Sequence, residues 1–371
     1  MNILLALSYY DPRLHQGIVE EAQKLSWMIN AELVLSSNIP QQWDGDGIIC
    51  SLENNEELNR FVLESGKPFV DLAANHSHSF PRILPSLRDG GTVAAEHFLD
   101  RSFEHFATYG QTENWWNIRC REAFTQRLRK DSKQAENWLW FNDKEKDEGS
   151  KERFEWLRNK LKEAPKPLGL YCFNDQLAQD VINLAYEEGL KIPAEIAVLG
   201  ANNYELICPY LPTPLSSIDF NMKELGIQAV RRLASLIESP NERWDVQEIP
   251  LKGIVTRQST ETMAVSHPLV AQAVSYIAQH YREACSVTEL ARILTSSEST
   301  LRRLFKEHVG HGIKEEVQNR RMKEALKLLK EGQQIQNVVS AVGYYDSSHF
   351  SRAFKKVYGL TVKQWKSKSD L

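Results

Sequence analysis

The chain has 371 residues, a formal net charge of −4 and 42% hydrophobic residues. This length exceeds one average domain and predicts two or three, and the hydrophobic content is enough to give each a packed core. No run reaches the ~18 apolar residues that a membrane helix needs, and residues 1–7 are too short and uncharged for a signal peptide, so we expect a soluble, cytoplasmic protein without a membrane partner.

From residue 1 to about residue 260, strand-like apolar runs alternate with helical patterns. The strand-like runs are 3–7, 33–35, 47–49 and 69–72, then 103–109, 139–141, 168–171 and 196–199, with helical patterns at 17–28 and 58–64. This alternation favours parallel sheets flanked by helices. We therefore expect an α/β domain over 1–260 with two lobes, roughly 1–105 and 106–220, a return to the first lobe after 220, and a cleft between them.

The cysteines and histidines predict neither a disulfide framework nor a metal site. The five cysteines lie far apart, are odd in number and show no C-x-x-C spacing, so ordinary buried thiols are expected. The pair His76 and His78, like the pair His308 and His311, comes without cysteines or carboxylates at the spacing of metal ligands. We expect no metal and no cofactor.

A family resemblance rests on four short stretches between residues 168 and 233. They read FNDQLA at 173–178, GLKIP at 189–193, IAVLG at 196–200 and LSSI at 215–218, and YDPR at 10–13 fits the same pattern. This part of the chain resembles the effector domain of lactose-repressor-type regulators, which is itself similar to periplasmic sugar-binding proteins. The resemblance implies a two-lobed, periplasmic-binding-protein-like fold whose cleft binds a small ligand.

That resemblance places the ligand contacts at strand ends facing the cleft. Carried over, they are Asp11, Arg13, Asn202 and either Asn174 or Asp175. Asn202 stands where many relatives have aspartate. One member of the Asn174-Asp175 pair can instead cap the helix predicted to start at residue 176, and we favour Asn174 for the ligand.

The helix after residue 109 supplies further ligand candidates. Relatives present an arginine just before a G-F or A-F pair, but here Cys120 precedes the A-F pair at 123–124, so either Arg119 or Arg121 takes that role. Trp115 at the start of this helix offers an aromatic face, although tryptophan more often fills a core than stacks on a ligand.

Phe220 stands where relatives often have glutamine, and it either lines the pocket or packs beneath it. Planar polar side chains together with an aromatic face are the groups that hold a polyol. The sequence therefore favours a sugar as the ligand.

Residues 253–267 are rich in Ser and Thr and end just before Pro268. We expect a flexible hinge here, with a linker at 261–267 between the α/β domain and the segment that follows.

Two stretches of that segment repeat one pattern at an offset of 49 residues, namely 290–310 and 339–359. Aligned on Gly310 and Gly359, Leu301 meets Phe350 and Phe305 meets Phe354, and we expect these four apolar side chains in the core. Apolar spacing of three and four with an interrupting turn predicts a helix-turn-helix in each, at about 286–310 and 335–359. An amphipathic helix at 313–331 would join them rigidly.

Charge separates the two parts of the chain. Residues 267–371 hold 17 Lys and Arg against 10 Asp and Glu, whereas the residues before them hold 28 against 39. A basic segment supplies the salt-dependent attraction to phosphate on which nucleic-acid binding rests. DNA binding is therefore predicted for the C-terminal part.

A second family resemblance covers the final ~105 residues. The matching positions are Gly343-Tyr344, Phe350-Ser351-Arg352, Phe354-Lys355, Gly359 and Thr361. They resemble the GF-x(5)-FSR-FK-x(3)-G-TP signature of AraC/XylS-type transcription regulators, with Tyr344 for phenylalanine and Val362 for proline. The resemblance implies an all-α double helix-turn-helix domain at 268–371, whose two recognition helices enter successive major grooves about 34 Å apart.

The second helix of each unit would read DNA. The predicted DNA-binding residues are Ser299, Arg302, Arg303, Ser347, Ser348, Ser351 and Arg352. Arginine can make bidentate bonds to guanine and serine can bond several bases. Arg303 and Arg352, which occupy repeated positions, could equally contact phosphate or cap the structure, because phosphate and sugar receive half or more of protein–DNA hydrogen bonds.

The two halves together resemble bacterial xylose regulators, in which this effector fold is fused to an AraC-type DNA-binding domain. The resemblance implies a ligand-responsive, sequence-specific activator of sugar catabolism genes controlled by xylose or a related sugar. Its partners would be half-sites in double-stranded DNA, the sugar, a second copy in a homodimer, and RNA polymerase. Two alternatives stay open: an effector domain that senses a non-sugar ligand, or one that acts only in dimerisation.

Enzyme activity is not expected. The signatures G-x-S-x-G, G-x(4)-G-K-[ST], G-x-G-x-x-G and H-E-x-x-H are missing from the sequence. A transport binding protein would fit the first 260 residues alone, but not their fusion to a DNA reader.

Overall fold

Strands and helices alternate through the first 260 residues. The computed structural model describes residues 1–369 except for 37, 38, 41, 54, 75–79, 112, 113, 141–147, 240–244, 263, 265, 266, 284 and 331. The strands are β1 (Asn2–Ala6), β2 (Met28–Asn30), β3 (Gly47–Cys50), β4 (Phe69–Asp71), β5 (Ile83–Pro85), β6 (His105–Gly110), β7 (Ala135–Leu139), β8 (Leu168–Cys172), β9 (Ile196–Ala201), β10 (Ser216–Asp219), β11 (Gln247–Ile249) and β12 (Gly253–Val255). The helices of this part are α1 (Pro12–Lys24), α2 (Glu32–Ser36), α3 (Glu56–Glu64), α4 (Leu87–Leu99), α5 (Trp115–Arg129), α6 (Glu148–Glu163), α7 (Asp175–Glu187) and α8 (Met222–Glu238).

Two parallel sheets form the cores of two lobes. The first has strand order β2-β1-β3-β4, and the second has the order β12-β10-β9-β8-β6-β7, in which β12 pairs with β10 antiparallel and the other described pairs are parallel. A short pair, β11-β5, extends the first lobe. Strands β1, β3, β8 and β9 are buried almost throughout, as expected of parallel strands covered by helices on both faces. The predicted α/β class is confirmed.

The chain crosses between the lobes more than once. Helix α4 packs against α5, and the ring of Phe98 lies against Gly169 of β8, so the chain enters the second lobe before residue 87 rather than near residue 105. After β10 it returns, because α8 packs along α1 and β11 pairs with β5. It then crosses again to β12, beside β10.

Helices α1 and α8 touch through a pair of glycines. A Cβ at Gly17 would collide with the carbonyl of Lys223, and a Cβ at Gly226 would collide with the carbonyl of Leu14. Only residues without a side chain allow this approach, which fixes the start of α1 against the return segment of the chain.

Residues 33–35, predicted as a strand, are helical, and they form part of α2. The amide oxygen of Asn30 accepts the backbone N–H of Glu32 at 3.0 Å, which starts a helical turn. Periodicity alone cannot distinguish a short apolar run in a helix from one in a strand. The strand predicted at 139–141 lies earlier, at β7.

The expectation of a flexible hinge over 253–267 is wrong for residues 253–262. Residues 253–255 are β12, and Ser259, Thr260 and Thr262 are buried. A polar segment is held in place here because its hydroxyls bond inside the second lobe, with Ser259 Oγ donating to the carbonyl of Val198 at 2.6 Å.

The C-terminal part is helical. Its helices are α9 (Pro268–His280), α10 (Val287–Ile293), α11 (Glu298–Val309), α12 (Ile313–Lys330), α13 (Ile335–Ala341), α14 (Ser347–Tyr358) and α15 (Val362–Ser369). The helix-turn-helix pairs are α10 with α11 and α13 with α14. Gly310 and Gly359 end α11 and α14 in the left-handed conformation, with φ of 84° and 73°, which explains why the repeat aligns on them.

Helix α12 belongs to both helix-turn-helix units. Ile313 and Val317 pack in a core with α9, α10 and α11, whereas Met322, Ala325 and Leu329 pack in a second core with α13, α14 and α15. Helix α12 lies at the position predicted for the connecting helix, and it packs against both units. Among the described residues, no helix combines the length and apolar character needed to cross a bilayer.

Candidate ligand cleft and nucleic-acid interface

Asp11 and Arg13 lie together where the first lobe faces the second. Asp11 is fully buried and is the N-cap of α1, because its Oδ1 accepts the backbone N–H groups of Arg13 at 2.8 Å and Leu14 at 3.3 Å. The Arg13 guanidinium bonds the same carboxylate, with Nη2 2.7 Å from Oδ2. A charged pair of this kind holds a planar donor group in a defined orientation.

The second lobe meets this pair through the loop after β9. Asn202 and Asn203 have left-handed backbones, with φ of 94° and 51°. Their carbonyls both accept Nη1 of Arg13, the second at 3.2 Å. The hydroxyls of Tyr9 and Tyr204 lie 2.9 Å apart, and the Arg13 guanidinium lies 5.0 Å from the centre of the Tyr204 ring. The cleft is thus bridged by side chains from both lobes.

Asn202, in the same loop, has a buried polar side-chain atom without a hydrogen-bond partner among the described residues. The residue is 8% exposed, and its Oδ1 is buried without a hydrogen-bond partner among the described residues. Buried polar atoms are nearly always hydrogen-bonded in folded proteins. An acceptor of this kind is suited to a hydroxyl donor from a bound molecule.

Asn174, which we favoured for the ligand, takes the capping role, and Asp175 bonds groups of the protein, so a ligand contact by either residue stays a prediction. Asn174 is the N-cap of α7, since its Oδ1 accepts the backbone N–H of Leu177 at 2.8 Å. Asp175 is fully buried, and its carboxylate accepts the hydroxyl of Ser217 at 2.6 Å and the backbone N–H of Tyr204 at 2.8 Å. Asp175 therefore holds the cleft loop in place, and burial raises its pKa to about 6.

The aromatic candidates lie in or against the core. Phe220 is fully buried, with its ring centre 4.9 Å from that of Trp116 and its edge against Gly90, so it packs beneath the cleft surface. Trp115 is partly buried, and its ring centre lies 5.8 Å from that of Trp116. The sequence left two roles open for Phe220, lining the pocket or packing beneath it, and its buried position agrees with packing.

Arg119 and Arg121 are half-buried on α5, on either side of Cys120. The Cys120 thiol is fully buried and faces the carbonyl of Leu87 at 3.6 Å, and burial raises its pKa to about 12. Cys120 is therefore an unreactive core thiol. Cys50, Cys172 and Cys208 are also buried, while Cys285 is half-buried, in line with ordinary thiols.

The first helix predicted to read DNA is α11. The hydroxyl of Ser297 caps it by accepting the backbone N–H of Thr300 at 3.1 Å. Ser299, Arg302 and Arg303 share one exposed face of the helix, three and four residues apart. Arg302 pairs with Glu298 at 3.2 Å and Arg303 with Glu307 at 3.1 Å. Exposed pairs like these are weak, so both guanidinium groups can be released to DNA.

The second helix predicted to read DNA is α14. The Asp346 carboxylate caps it by accepting the backbone N–H groups of Ser348 at 2.6 Å and His349 at 3.0 Å, and these bonds hold the pKa of Asp346 below its usual value. The predicted readers Ser347, Ser348, Ser351 and Arg352 are all exposed. Leu301, Phe305, Phe350 and Phe354 have no exposed surface, which confirms them as core residues.

Sequence reasoning missed several residues at both sites. In the cleft these are Tyr9, Asn203 and Tyr204, and behind the cleft loop it is Arg257, which bonds Asn203. Tyr345 is fully exposed just before the cap of α14. The Asn-Asn pair directly after a buried strand was a signal for left-handed backbone. Nothing local pointed to Arg257, whose partner Asn203 is 54 residues away.

The histidines do not form a described metal site. His308 lies with its ring centre 5.1 Å from that of His267, and His311 bonds Glu316 at 2.8 Å. Among the described residues, no group of three or more His, Cys, Asp or Glu side chains could hold a metal ion. His76 and His78 lie outside the described residues.

Comparisons with known proteins match both parts of the chain. A family profile for a periplasmic binding protein-like domain matches residues 95–260, and one for a helix-turn-helix domain matches 290–368. The xylose operon regulatory protein of Haemophilus influenzae is 24% identical over 380 residues, covering 96% of this chain and 95% of the relative.

Solved structures share the fold. The structure of the xylose-binding transcription activator XylR superposes with a TM-score of 0.64 at 22% identity, covering 99% of this chain and 97% of that one. A LacI family regulator from Enterococcus faecalis with bound ribose gives a TM-score of 0.58 at 18% identity, covering 72% of this chain and 100% of that one. The predicted order of folds, a two-lobed α/β domain and then a double helix-turn-helix domain, is confirmed.

Proposed function

We propose that this chain is a DNA-binding transcription regulator, with a periplasmic binding protein-like domain and an AraC-type helix-turn-helix domain, in which a sugar bound in the cleft controls how it binds its operator. Residues 1–260 would sense the sugar and residues 268–371 would read DNA. The relatives are regulators rather than enzymes.

The observation that carries the sugar proposal is the buried, unpartnered Oδ1 of Asn202. The backbone carbonyl of the same residue accepts the Arg13 guanidinium, which lies over the ring of Tyr204, and the Tyr204 hydroxyl bonds that of Tyr9. Asp11 and Arg13 neutralise each other, so the cleft suits an uncharged ligand with several hydroxyls. Xylose is the first candidate, because relatives that span nearly the whole chain are named for the xylose operon.

On DNA, each protomer would place α11 and α14 in adjacent major grooves. The first helix offers Arg302 and Arg303, whereas the second offers serines and Arg352, so the two half-sites should differ in sequence. We propose that the chain acts as a homodimer and activates transcription by contacting RNA polymerase.

The sugar proposal is tested by thermal unfolding of the full chain with D-xylose, D-ribose, L-arabinose and D-glucose. A ligand that prefers the folded state raises the unfolding temperature, by the equivalent of about 2.7 kcal/mol at a hundredfold excess over its Kd. We expect a rise with D-xylose. Should none of the sugars stabilise the wild type, a non-sugar ligand or a role in dimerisation alone would replace the proposal.

A matched pair of variants tests the role of Asn202. Glycine tolerates the φ of 94° at residue 202, so Asn202→Gly removes the side chain without straining the backbone. Loss of one hydrogen bond of about 1 kcal/mol should weaken the affinity for D-xylose about fivefold. Asn221→Gly, also left-handed with φ of 58°, makes the same change at the start of α8 and should leave the affinity unchanged. Equal D-xylose affinities for both variants in titration calorimetry would count against Asn202 as a ligand contact.

A further inference from the structure

The segment that leads towards the DNA-binding domain is fastened inside the second lobe. We call residues 257–262 the strap. Thr260 Oγ1 lies 2.7 Å from Ser216 Oγ and 2.8 Å from Nε2 of His97 on α4, and Ser259 Oγ accepts the backbone N–H of Ser216 at 2.8 Å. Ser259 and Thr260 have no exposed surface. The strap therefore moves with the second lobe, and a change in these hydrogen bonds is passed on to the residues that follow the strap.

One end of the strap reaches the ligand cleft. Arg257 donates through Nη2 to Oδ1 of Asn203 at 2.8 Å and through Nη1 to the carbonyl of Leu215 at 2.8 Å. The carbonyl of the same Asn203 accepts Arg13 from the first lobe at 3.2 Å. Asn203 thus lies between the opposite lobe and the strap, bonded to both.

The other end of the strap is bonded to Arg101. The carbonyl of Thr260 accepts Nε of Arg101 at 2.9 Å, and the carbonyl of Arg101 accepts the backbone N–H of Ala264 at 2.7 Å. Burial lowers the pKa of Arg101 to about 10, and the like charge of Arg320 on α12 acts in the same direction. Arg101 therefore lies within electrostatic range of α12.

We propose that Arg257 is the residue that couples the cleft to the DNA-binding domain, through its bond to Asn203 and the strap that it begins. A sugar hydroxyl competes with Arg13 for the carbonyls of Asn202 and Asn203, so the ligand favours a different loop arrangement from the ligand-free one. Such differential contact is what allows a ligand to shift an equilibrium between two states. The inference rests on the proposed function, since it needs a ligand in the cleft.

The test measures coupling rather than binding alone. Operator DNA is selected from random duplexes with the full chain, and its Kd is measured by fluorescence anisotropy with and without saturating D-xylose. The ratio of the two Kd values is the coupling factor, commonly 5–150-fold in allosteric proteins. By reciprocity, operator DNA must change the Kd for D-xylose by the same factor, which calorimetry checks.

Arg257→Met removes both side-chain donors, and we expect the coupling factor to fall to about one while sugar binding persists. Asn203→Gly removes the acceptor at the other end of the same bond and keeps the left-handed backbone, whose φ is 51°. If both act through one bond, the double variant should lose no more coupling than either single variant. A coupling factor that stays at the wild-type value in Arg257→Met and Asn203→Gly would overturn the proposal.

Two controls separate this inference from others. Arg127→Met removes a guanidinium that pairs with Glu96 and Asp131 away from the strap, and it should keep the wild-type coupling factor. Asn202→Gly should weaken D-xylose binding itself, whereas Arg257→Met should not, and this difference distinguishes a ligand contact from the coupling contact. If the wild type binds none of the sugars, the proposed function and this inference are both refuted. If the wild type binds a sugar but Arg257→Met and Asn203→Gly keep its coupling factor, this inference alone is refuted.

Discussion

Asp175 shows how one buried carboxylate stabilises the cleft without reaching into it. Its two oxygens accept the Ser217 hydroxyl and the Tyr204 backbone N–H, so it ties the loop after β9 to strand β10. Burial opposes the charged form and raises the pKa from 3.8 to about 6. Near neutral pH the residue is therefore ionised at a cost to folding stability.

This cost gives a prediction about pH. Because the folded pKa is raised, the folded state binds more protons than the unfolded state between about pH 4 and pH 6. The contribution of Asp175 to stability is thus fully present below pH 4 and is lost as pH rises through 6. Asp175→Asn keeps the shape, and its amide can still accept from Tyr204 and donate to Ser217. Relative to wild type, the free energy of unfolding of Asp175→Asn should rise by up to about 3 kcal/mol between pH 4 and pH 7.

The measurement is the difference in unfolding temperature between wild type and Asp175→Asn across this pH range. Other titrating groups are common to both proteins and cancel in the difference. A difference that does not change with pH, or that shrinks as pH rises, would contradict the raised pKa.

At the scale of elements, helix α1 is positioned by its contact with α8. Its first residues form the Asp11–Arg13 pair, and one turn later Gly17 lies against α8, with Gly226 facing Leu14 and Ile18 in return. The orientation of Arg13 towards the second lobe therefore depends on how closely these two helices approach. The contact joins segments about 200 residues apart in the sequence.

Gly226→Ala should push the two helices apart. Its Cβ would collide with the carbonyl of Leu14 and lie 2.9 Å from the backbone nitrogen of Ile18, so the backbone itself must shift. Overpacking of this kind costs about 1–3 kcal/mol, and a lower unfolding temperature and weaker D-xylose binding are expected. Gly312→Ala is the control, because no heavy atom lies within 4 Å of its Cβ and its stability should be unchanged or slightly higher. Equal unfolding temperatures for the two variants would refute the role of this contact.

The elements that the sequence predicted well are those with strong local signals. Buried strands such as β1 and β9 and the helices α11 and α14, with their caps and final glycines, follow from apolar spacing and turn residues. The missed features depend on contacts between distant residues: the Ser- and Thr-rich strap looks like a hinge until its hydroxyls are seen to bond Val198 and Ser216. Composition reports that a segment is polar, but not whether its polar groups find partners inside the fold.

For the whole molecule, DNA binding is the function with the clearest electrostatic test. Arg302→Ala combined with Arg352→Ala should weaken operator binding by about 1–3 kcal/mol per residue, because both side chains are exposed on the faces of α11 and α14. The rise in unfolding temperature with D-xylose should not change. Arg158→Ala, which removes an arginine paired with Glu187 and Glu188 on the other domain, should keep full operator affinity.

Salt dependence decides between the two roles left open for Arg352 and Arg303. If a single arginine contacts phosphate, its replacement by alanine weakens binding to all sequences and reduces the slope of log K against log salt by about one. If it contacts a base, the slope stays and specificity relaxes at one position of the operator. Full affinity and an unchanged slope in all of these variants would mean that α11 and α14 do not read DNA.

The return of the chain to the first lobe also constrains how the protein is made. That lobe needs α8 against α1 and β11 beside β5, so it stays unfinished on the ribosome until residue 249 has emerged. Strand β1 and helix α1 are synthesised first, and their apolar faces stay uncovered through most of translation. The second lobe has all strands but its edge strand β12 by residue 219, so it can assemble earlier and serve as the surface on which the first is completed.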